Sequence, residues 1–376
     1  MIPVSQPWLS ESEFESADAC VRSGWISSVG DSLIQFETDW ATYCGRRHGI
    51  AVSNGTVALE LACTSLDLKP GDEVIMPSFT IISCALAVIR AGGVPVLVDA
   101  DPDTWCMDVD QVEAKITPNT RAIMAVHIYG HPVDMDPVME LAQRHHLAVI
   151  EDAAEAHGAE YRSERGGEPV WRRCGSFGAM SCFSFYANKI VTTGEGGMVL
   201  TDDDAVADRL RGLRNLCFGR DRRFEHEGLG FNFRLSNIHA AIGVAQVARI
   251  EQCLDRKRWL AAAYGKALEG VTGLRLPVAR PWARNVYWMY GIVLDEEVGM
   301  DATAFSAALE KRGVESRPFF LGMHEQPPLR ERGLFEGEKY PVSEWLARQG
   351  LYLPSFPTLT EAQVETVATA IREILA

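Results

Sequence analysis

The 376 residues carry a formal charge of -15 and a pI near 5.1. That balance argues against nucleic acid or an anionic membrane as the main partner, since both reward clustered lysine and arginine. Hydrophobic residues make up 47% of the chain, enough to bury a sizeable core in one large α/β domain with a smaller one beside it.

The first residues offer neither a basic nor an apolar leader region, so a cytoplasmic protein is expected. Apolar runs stay far below the roughly 20 residues of a membrane-spanning helix. Nine cysteines are scattered without a Cys-x-x-Cys pair, which fits reduced thiols better than a disulfide framework or a zinc knuckle.

Ser10 and Glu13 have the spacing of a capping box and open the first helix. From 48 to 201, short strand-like runs (48–53, 73–77, 94–99, 122–128, 147–151, 180–185 and 198–201) alternate with helical stretches. The rhythm predicts an α/β sheet, mostly parallel. Helices are expected over 55–66, with apolar Val57, Leu61 and Ala62 on one face, and over 134–146. Residues 163–173 are charged and contain Gly and Pro, so they read as a surface excursion. A long helical stretch covers 236–268. A strand at 286–294, a helix at 301–312 and a last helix capped by Thr360 and Gln363 follow. The boundary falls near 250, giving an N-terminal segment and large α/β domain over 1–250 and a small α+β domain over 251–376.

Three segments carry chemistry. Lys189 lies between an apolar strand and the turn Gly194-Glu195-Gly196-Gly197, where a lysine amine can act as an imine-forming nucleophile. Asp152 closes the run 147–151, at the carboxyl end of a central strand, where open α/β sheets bind ligands. Gly55 and Thr56 follow a strand and open a helix, so N–H groups and a hydroxyl face the place where an anion is favoured. Ser184 can add a hydroxyl, and Phe79 an aromatic wall. A lysine, a carboxylate, an aromatic wall and phosphate donors are the parts that pyridoxal 5'-phosphate (PLP) needs.

Other chemistries fit less well. Asp152 is not preceded by the G-x-G-x-x-G of a dinucleotide site, and the turn at 194–197 does not supply it. His127 and His131 have an i, i+4 spacing, but on a loop after a strand, which does not present them as a helical metal pair. Arg214, Arg220, Arg222 and Arg223 form the densest basic run, readable as a contact for a diphosphate or as a solvated loop.

Trp25-Ile26-Ser27-Ser28-Val29-Gly30, Ser53-Asn54-Gly55-Thr56, Pro77-Ser78-Phe79-Thr80, His127-Ile128-Tyr129-Gly130-His131-Pro132, Glu151-Asp152-Ala153-Ala154-Glu155 and Thr192-Thr193-Gly194-Glu195-Gly196-Gly197 occur in this order. Across nearly the whole chain the sequence resembles the DegT/DnrJ/EryC1 family of sugar aminotransferases, PLP enzymes of fold type I. The resemblance implies Lys189 as the residue condensed with the cofactor aldehyde, Asp152 on the pyridine nitrogen, Gly55, Thr56 and Ser184 at the phosphate, and Phe79 stacked on the ring. It implies a homodimer with shared active sites, with Asn232, next to Arg234 and Asn237, reaching the phosphate of the neighbouring subunit. Glu155 stands where many members carry Gln beside the phenolic oxygen. Trp25, Ser27, Arg234, Arg317 and His324 are implied on the substrate side.

Related dehydratases replace the lysine with histidine, so Lys189 favours transamination. The implied reaction moves the amino group of L-glutamate onto a keto carbon, C-4, of a nucleotide-linked 6-deoxysugar. The nucleotide (GDP, dTDP or UDP) and the choice of C-3 or C-4 stay open.

Overall fold

The structure is a computed structural model that describes every residue except 220 and 223. Helices α1 (Glu11–Ser23) and α2 (Asp31–Cys44) precede strand β1 (His48–Val52). There follow α3 (Gly55–Ser65), β2 (Glu73–Pro77), α4 (Ser83–Arg90), β3 (Val94–Val98), β4 (Thr120–Val126), α5 (Met135–His145) and β5 (Ala148–Asp152). A hairpin of β6 (Glu160–Ser163) and β7 (Val170–Arg173) leads to β8 (Met180–Ser184), β9 (Gly197–Thr201) and α6 (Asp204–Arg214). Helices α7 (Asn237–Ala248) and α8 (Ile250–Ala267) come next, then β10 (Leu274–Arg275), β11 (Ala283–Arg284), β12 (Tyr290–Leu294), α9 (Ala302–Glu310) and β13 (Arg317–Pro318). The chain closes with α10 (Pro327–Arg330), α11 (Pro341–Gln349), β14 (Gly350–Leu353) and α12 (Glu361–Leu375).

Seven strands form the main sheet in the order β1-β9-β8-β5-β4-β2-β3. The pairs β2–β3, β2–β4, β4–β5 and β5–β8 are parallel, and β9 runs antiparallel to both its neighbours. Strands β5, β8 and β9 are buried almost throughout, as a sheet covered by helices on both faces requires. Both capping boxes form, Ser10 with Glu13 on α1 and Thr360 with Gln363 on α12. Four antiparallel strands, β10-β12-β14-β13, build a second sheet with its own apolar cluster against α9, α12 and the later turns of α8. Among the described residues, no helix is long and apolar enough to cross a membrane.

Two expectations need correction, and the surface excursion at 163–173 takes a definite form. The helical stretch 236–268 breaks at Arg249 (φ -121°), where the guanidinium leaves the helix surface for Glu13 Oε1 at 2.6 Å and the Trp8 carbonyl and ring. Residues 163–173 are the tip and return strand of the β6–β7 hairpin, which β11 extends to three strands. The strand expected from 286 starts at Tyr290, because Tyr287 takes a positive φ of 49° that a strand does not accommodate.

Candidate active site

Strands β4, β5 and β8 end together on one side of the main sheet, and a cavity of about 650 Å³ opens there. Its lining includes Gly55, Thr56, Asp152, Glu155, Ser184 and Lys189. Five of the six come from strand ends or the first turns after them, the position where backbone polarity is free to meet a ligand.

The phosphate side is built by packing at its tightest. Asn54 caps α3 by accepting from Val57 N at 3.0 Å, which leaves the first N–H groups of the helix facing the cavity. A methyl group on Gly55 would lie 2.6 Å from Ser184 Cβ, so only glycine lets α3 and β8 meet here. The Thr56 hydroxyl is 2.8 Å from Ser83 Oγ at the start of α4.

Asp152 is 4% exposed. Its carboxylate accepts from the Cys84 thiol at 3.2 Å and from Ala154 N at 3.1 Å. Burial pushes its pKa up, opposed by the Cys84 and Ala154 hydrogen bonds and by the Lys189 charge. Few donors and little solvent surround this carboxylate, so it favours a cation placed against it.

The Lys189 side chain is 10% exposed, and its Nζ lies 3.8 Å from Glu155 Oε1 and 3.7 Å from the centre of the Trp288 ring. Burial holds its ammonium below the usual lysine range, while Glu155 and Asp152 act the other way. Burial also raises the Glu155 carboxyl, although Lys189 and the Tyr129 N–H, which donates at 2.7 Å, both lower it. A lysine amine with a depressed pKa beside a carboxyl with a raised one is the pattern of a proton-transfer site.

Phe79 does not line the cavity. It is 1% exposed and packs with Tyr129, Phe319 and Phe320, while Thr80 and Ile81 reach the wall instead. The segment after β2 turns Phe79 inward, and Ile81, 44% exposed, outward. His324 is buried between Ser78 Oγ (2.8 Å) and Glu344 Oε1 (3.3 Å). Arg317 is exposed and pairs with Glu315 at 3.5 Å. Neither lines this cavity. Arg234 donates to Asn215 Oδ1 at 2.7 Å, and Asn232 is exposed on its own protomer. Trp25 lies on a separate cleft, and the Ser27 carbonyl accepts from Asn237 N at 2.5 Å.

Of the basic run, Arg214 is fixed to Glu37 at 2.5 Å and to the Ala51 carbonyl at 2.8 Å, and Arg222 is solvated beside Glu225. Arg220 and Arg223 lie outside the described residues. His127 is a core hydrogen-bonding group between Glu151 Oε2 and Val133 N, each at 3.0 Å. Burial holds His131 down at about 4, against the Pro132 carbonyl. The aromatic shelf of Trp288, Phe320 and Tyr352 and the Arg90–Glu60 ion pair also line the cavity. Sequence reasoning missed both. The shelf comes from beyond residue 286, whose approach to the large sheet no local pattern encodes, and Arg90 with Glu60 sit on different helices.

The family model for the DegT/DnrJ/EryC1/StrS aminotransferases matches residues 7–372. The chain is 42% identical over 376 residues to "GDP-perosamine synthase" of Caulobacter vibrioides, covering 100% of this chain and 98% of the relative. It is 38% identical to "dTDP-3-amino-3,4,6-trideoxy-alpha-D-glucose transaminase" of Streptomyces venezuelae, covering 96% and 92%. The crystal structure of the aminotransferase TlmJ from Streptoalloteichus hindustanus superposes with a TM-score of 0.90 at 31% identity, over 100% of this chain and 99% of that one. The fold is that of the fold-type I PLP enzymes.

The residues present fit PLP. Without a Cβ at Gly55, Ser184 packs directly against the start of α3, so its hydroxyl and the first turn of that helix border the cavity that Lys189 and Asp152 also line. The Asn188 side-chain oxygen next to Lys189 is buried without a partner.

Proposed function

The chain belongs to the DegT/DnrJ/EryC1/StrS aminotransferase family, whose members depend on PLP, and we propose that it transfers the amino group of L-glutamate to C-4 of a nucleotide-linked 4-keto-6-deoxysugar. The substrate we assign is GDP-4-keto-6-deoxymannose and the product GDP-perosamine, supported by the full-length similarity to the synthase of that name. The observation that carries the chemistry is the convergence of Lys189 and Asp152 on one cavity.

PLP, when bound, supplies the electron sink that makes the donor's Cα proton acidic. Lys189 Nζ is the group that moves this proton, since it lies in the cavity and burial lowers its pKa and so favours the neutral amine that a base needs. Asp152, a poorly solvated carboxylate on the cavity wall, would favour protonation of a ring nitrogen placed against it. Gly55 N–H, Thr56 and Ser184 would hold the phosphate, and Glu155, 3.8 Å from the Lys189 amine, would share a proton with it. Trp288, Phe320 and Tyr352 exclude water from the small-domain side.

We assign a homodimer with shared sites, supported by an exposed apolar band on α1, α2 and the loop between them. Trp25, Val29 and Ile34 are 62%, 64% and 65% exposed there, around a cleft of about 720 Å³. Asn232 then reaches the phosphate of the neighbouring copy, and Arg234, Trp25 and Ser27 act on the substrate side across or near that interface, while the buried His324 and the Glu315-paired Arg317 are left out of that assignment. The nine free cysteines support a reducing, cytoplasmic setting. The division into domains at residue 250 is supported by α8, whose Cys253 and Leu254 pack in the larger core and Leu260 and Tyr264 in the smaller.

A second reading, amination at C-3 of a dTDP-linked ketosugar, is favoured by the likeness to the Streptomyces venezuelae transaminase. Mixing PLP-loaded protein and glutamate with a GDP-linked 4-keto-6-deoxysugar or with a dTDP-linked 3-keto-6-deoxysugar, and following 2-oxoglutarate, separates them. Turnover with the GDP-linked sugar is the expected result. Turnover with the dTDP-linked sugar alone would transfer the assignment to the second reading, and turnover with neither would end the assignment of substrate.

A further inference from the structure

Lys257 on α8 is 2% exposed. Its Nζ donates to two backbone carbonyls, Trp288 O at 2.8 Å and that of Ser355. Burial lowers its pKa to about 7, with only Cys253 acting against the shift. Burying an ammonium without a carboxylate partner is unfavourable, and an apolar side chain of similar length would pack here without that cost. The two backbone carbonyls that accept from the amine are what offset that cost.

One of the two groups it holds is Trp288, whose side chain borders the reacting lysine twice. The indole N–H donates to the Asn188 carbonyl at 2.8 Å, next to Lys189 in the chain. The ring face lies 3.7 Å from Lys189 Nζ, at cation–π distance. Trp288 is 5% exposed and forms part of the cavity wall. A row of contacts thus runs from α8 through the Trp288 backbone to both ends of the Lys189 residue.

We propose that Trp288 is the positioning residue of Lys189, and that Lys257 sets the place of Trp288, so that an ammonium outside the substrate cavity fixes the reach of the reacting amine. This rests on the PLP-dependent reading of the site. A wall residue that only fills space would tolerate any apolar replacement, and a lysine that only ties α8 to the smaller sheet would change melting without changing the reactivity of Lys189.

The test is the rate at which cofactor-free protein takes up PLP covalently, read from the absorbance of the Lys189 linkage at a temperature where every variant is folded by circular dichroism. Trp288→Leu is expected to slow capture by about tenfold or more, and Trp288→Phe by less because it keeps an aromatic face. Lys257→Met is expected to slow it by roughly threefold or more and Lys257→Arg, which keeps the donors, to recover most of the loss. Because Lys257 acts through Trp288, the Trp288→Leu/Lys257→Met double variant is expected to be no slower than Trp288→Leu alone.

Capture by Trp288→Leu at the wild-type rate would overturn the proposal. Wild-type capture by Lys257→Met, or a double variant slowed by the product of the two single effects, would overturn the role of Lys257; should Lys257→Met not fold, the rate of Lys257→Arg relative to Lys257→Gln decides the same point. Wild-type protein that took up no PLP would overturn the reading of the site itself, which is a distinguishable failure.

Discussion

At the scale of single residues, the site contains a carboxylate that stability alone would not select. Asp152 has two hydrogen-bond donors, a thiol and one N–H, and burial pushes its pKa up. Asp152→Asn keeps the shape; its one amide oxygen can accept from Ala154 N in place of Oδ1, and the weak Cys84 thiol donor, which meets Oδ2, still has Thr80 Oγ1 at 3.5 Å. The cofactor-free variant is expected to melt no lower than wild type, since a poorly solvated charge is replaced by a neutral group. Turnover is expected to fall by about 10²–10³-fold, the loss typical of removing one fixed electrostatic partner. Thermal melts and release of 2-oxoglutarate check the two halves together, and a variant that loses stability in proportion to activity would assign Asp152 to the core instead. The same scale shows where sequence reading reaches its limit. The residue types at 55, 56, 152, 184 and 189 fix their chemistry and their strand-end positions, and all five line one cavity. Phe79 has the right chemistry for a ring wall, but no period governs the five residues between Pro77 and Ser83. Its inward direction is set by packing against Tyr129 and Phe319, both distant in sequence.

Elements were legible where a period or a cap repeats. The strands of the main sheet and the helices after β1 and β4 lie within one to three residues of the sequence expectation, because alternating buried runs and Asn54-type caps are local signals. The break at Arg249 was not legible, since arginine propagates a helix well and its partners, Glu13 and Trp8, lie more than 200 residues away. Nor does local pattern reveal a buried lysine on a helix that is otherwise amphipathic, yet Lys257 gives α8 a measurable signature. Its pKa drops from 10.5 to about 7 on folding. Between those values the unfolded chain binds a proton that the folded chain does not, so the stability linked to this group rises with pH through the window and is lost as pH falls through about 7. Lys257→Met removes the slope but leaves the Trp288 and Ser355 carbonyls without their donor at every pH. The melting temperature of the variant relative to wild type is therefore expected to fall steadily from pH 6.5 to pH 10, a trend that thermal melts across this range detect. A constant difference would show that Lys257 stays charged in the folded protein.

The whole molecule poses a question that one chain does not answer by itself. The cavity holds a lysine, a carboxylate and the N-terminus of α3, while Asn232, next to the cavity-lining Phe233, is exposed and pairs through its backbone with Asn215. The band of Trp25, Val29 and Ile34 is more apolar than a solvated helix pair needs, and these side chains add little to the core of their own protomer. A two-fold axis through such a band would place the same residues of each copy against the other, and the proposed sharing of sites requires in addition that each Asn232 face the opposite cavity. Subunit mixing tests this geometry directly. Lys189→Ala and Asn232→Ala homodimers are each expected to turn over slowly at limiting PLP. In a dimer made of one copy of each, one cavity combines the wild-type lysine with the wild-type asparagine of the other copy, and the second cavity lacks both. After equal amounts are unfolded and refolded together, half the dimers are mixed, and about a quarter of all cavities are expected to be complete. Recovery to about that fraction of wild-type activity requires Asn232 to act across the interface. If Asn232 served its own protomer, no cavity in any mixed dimer would hold both groups, and mixing would recover nothing.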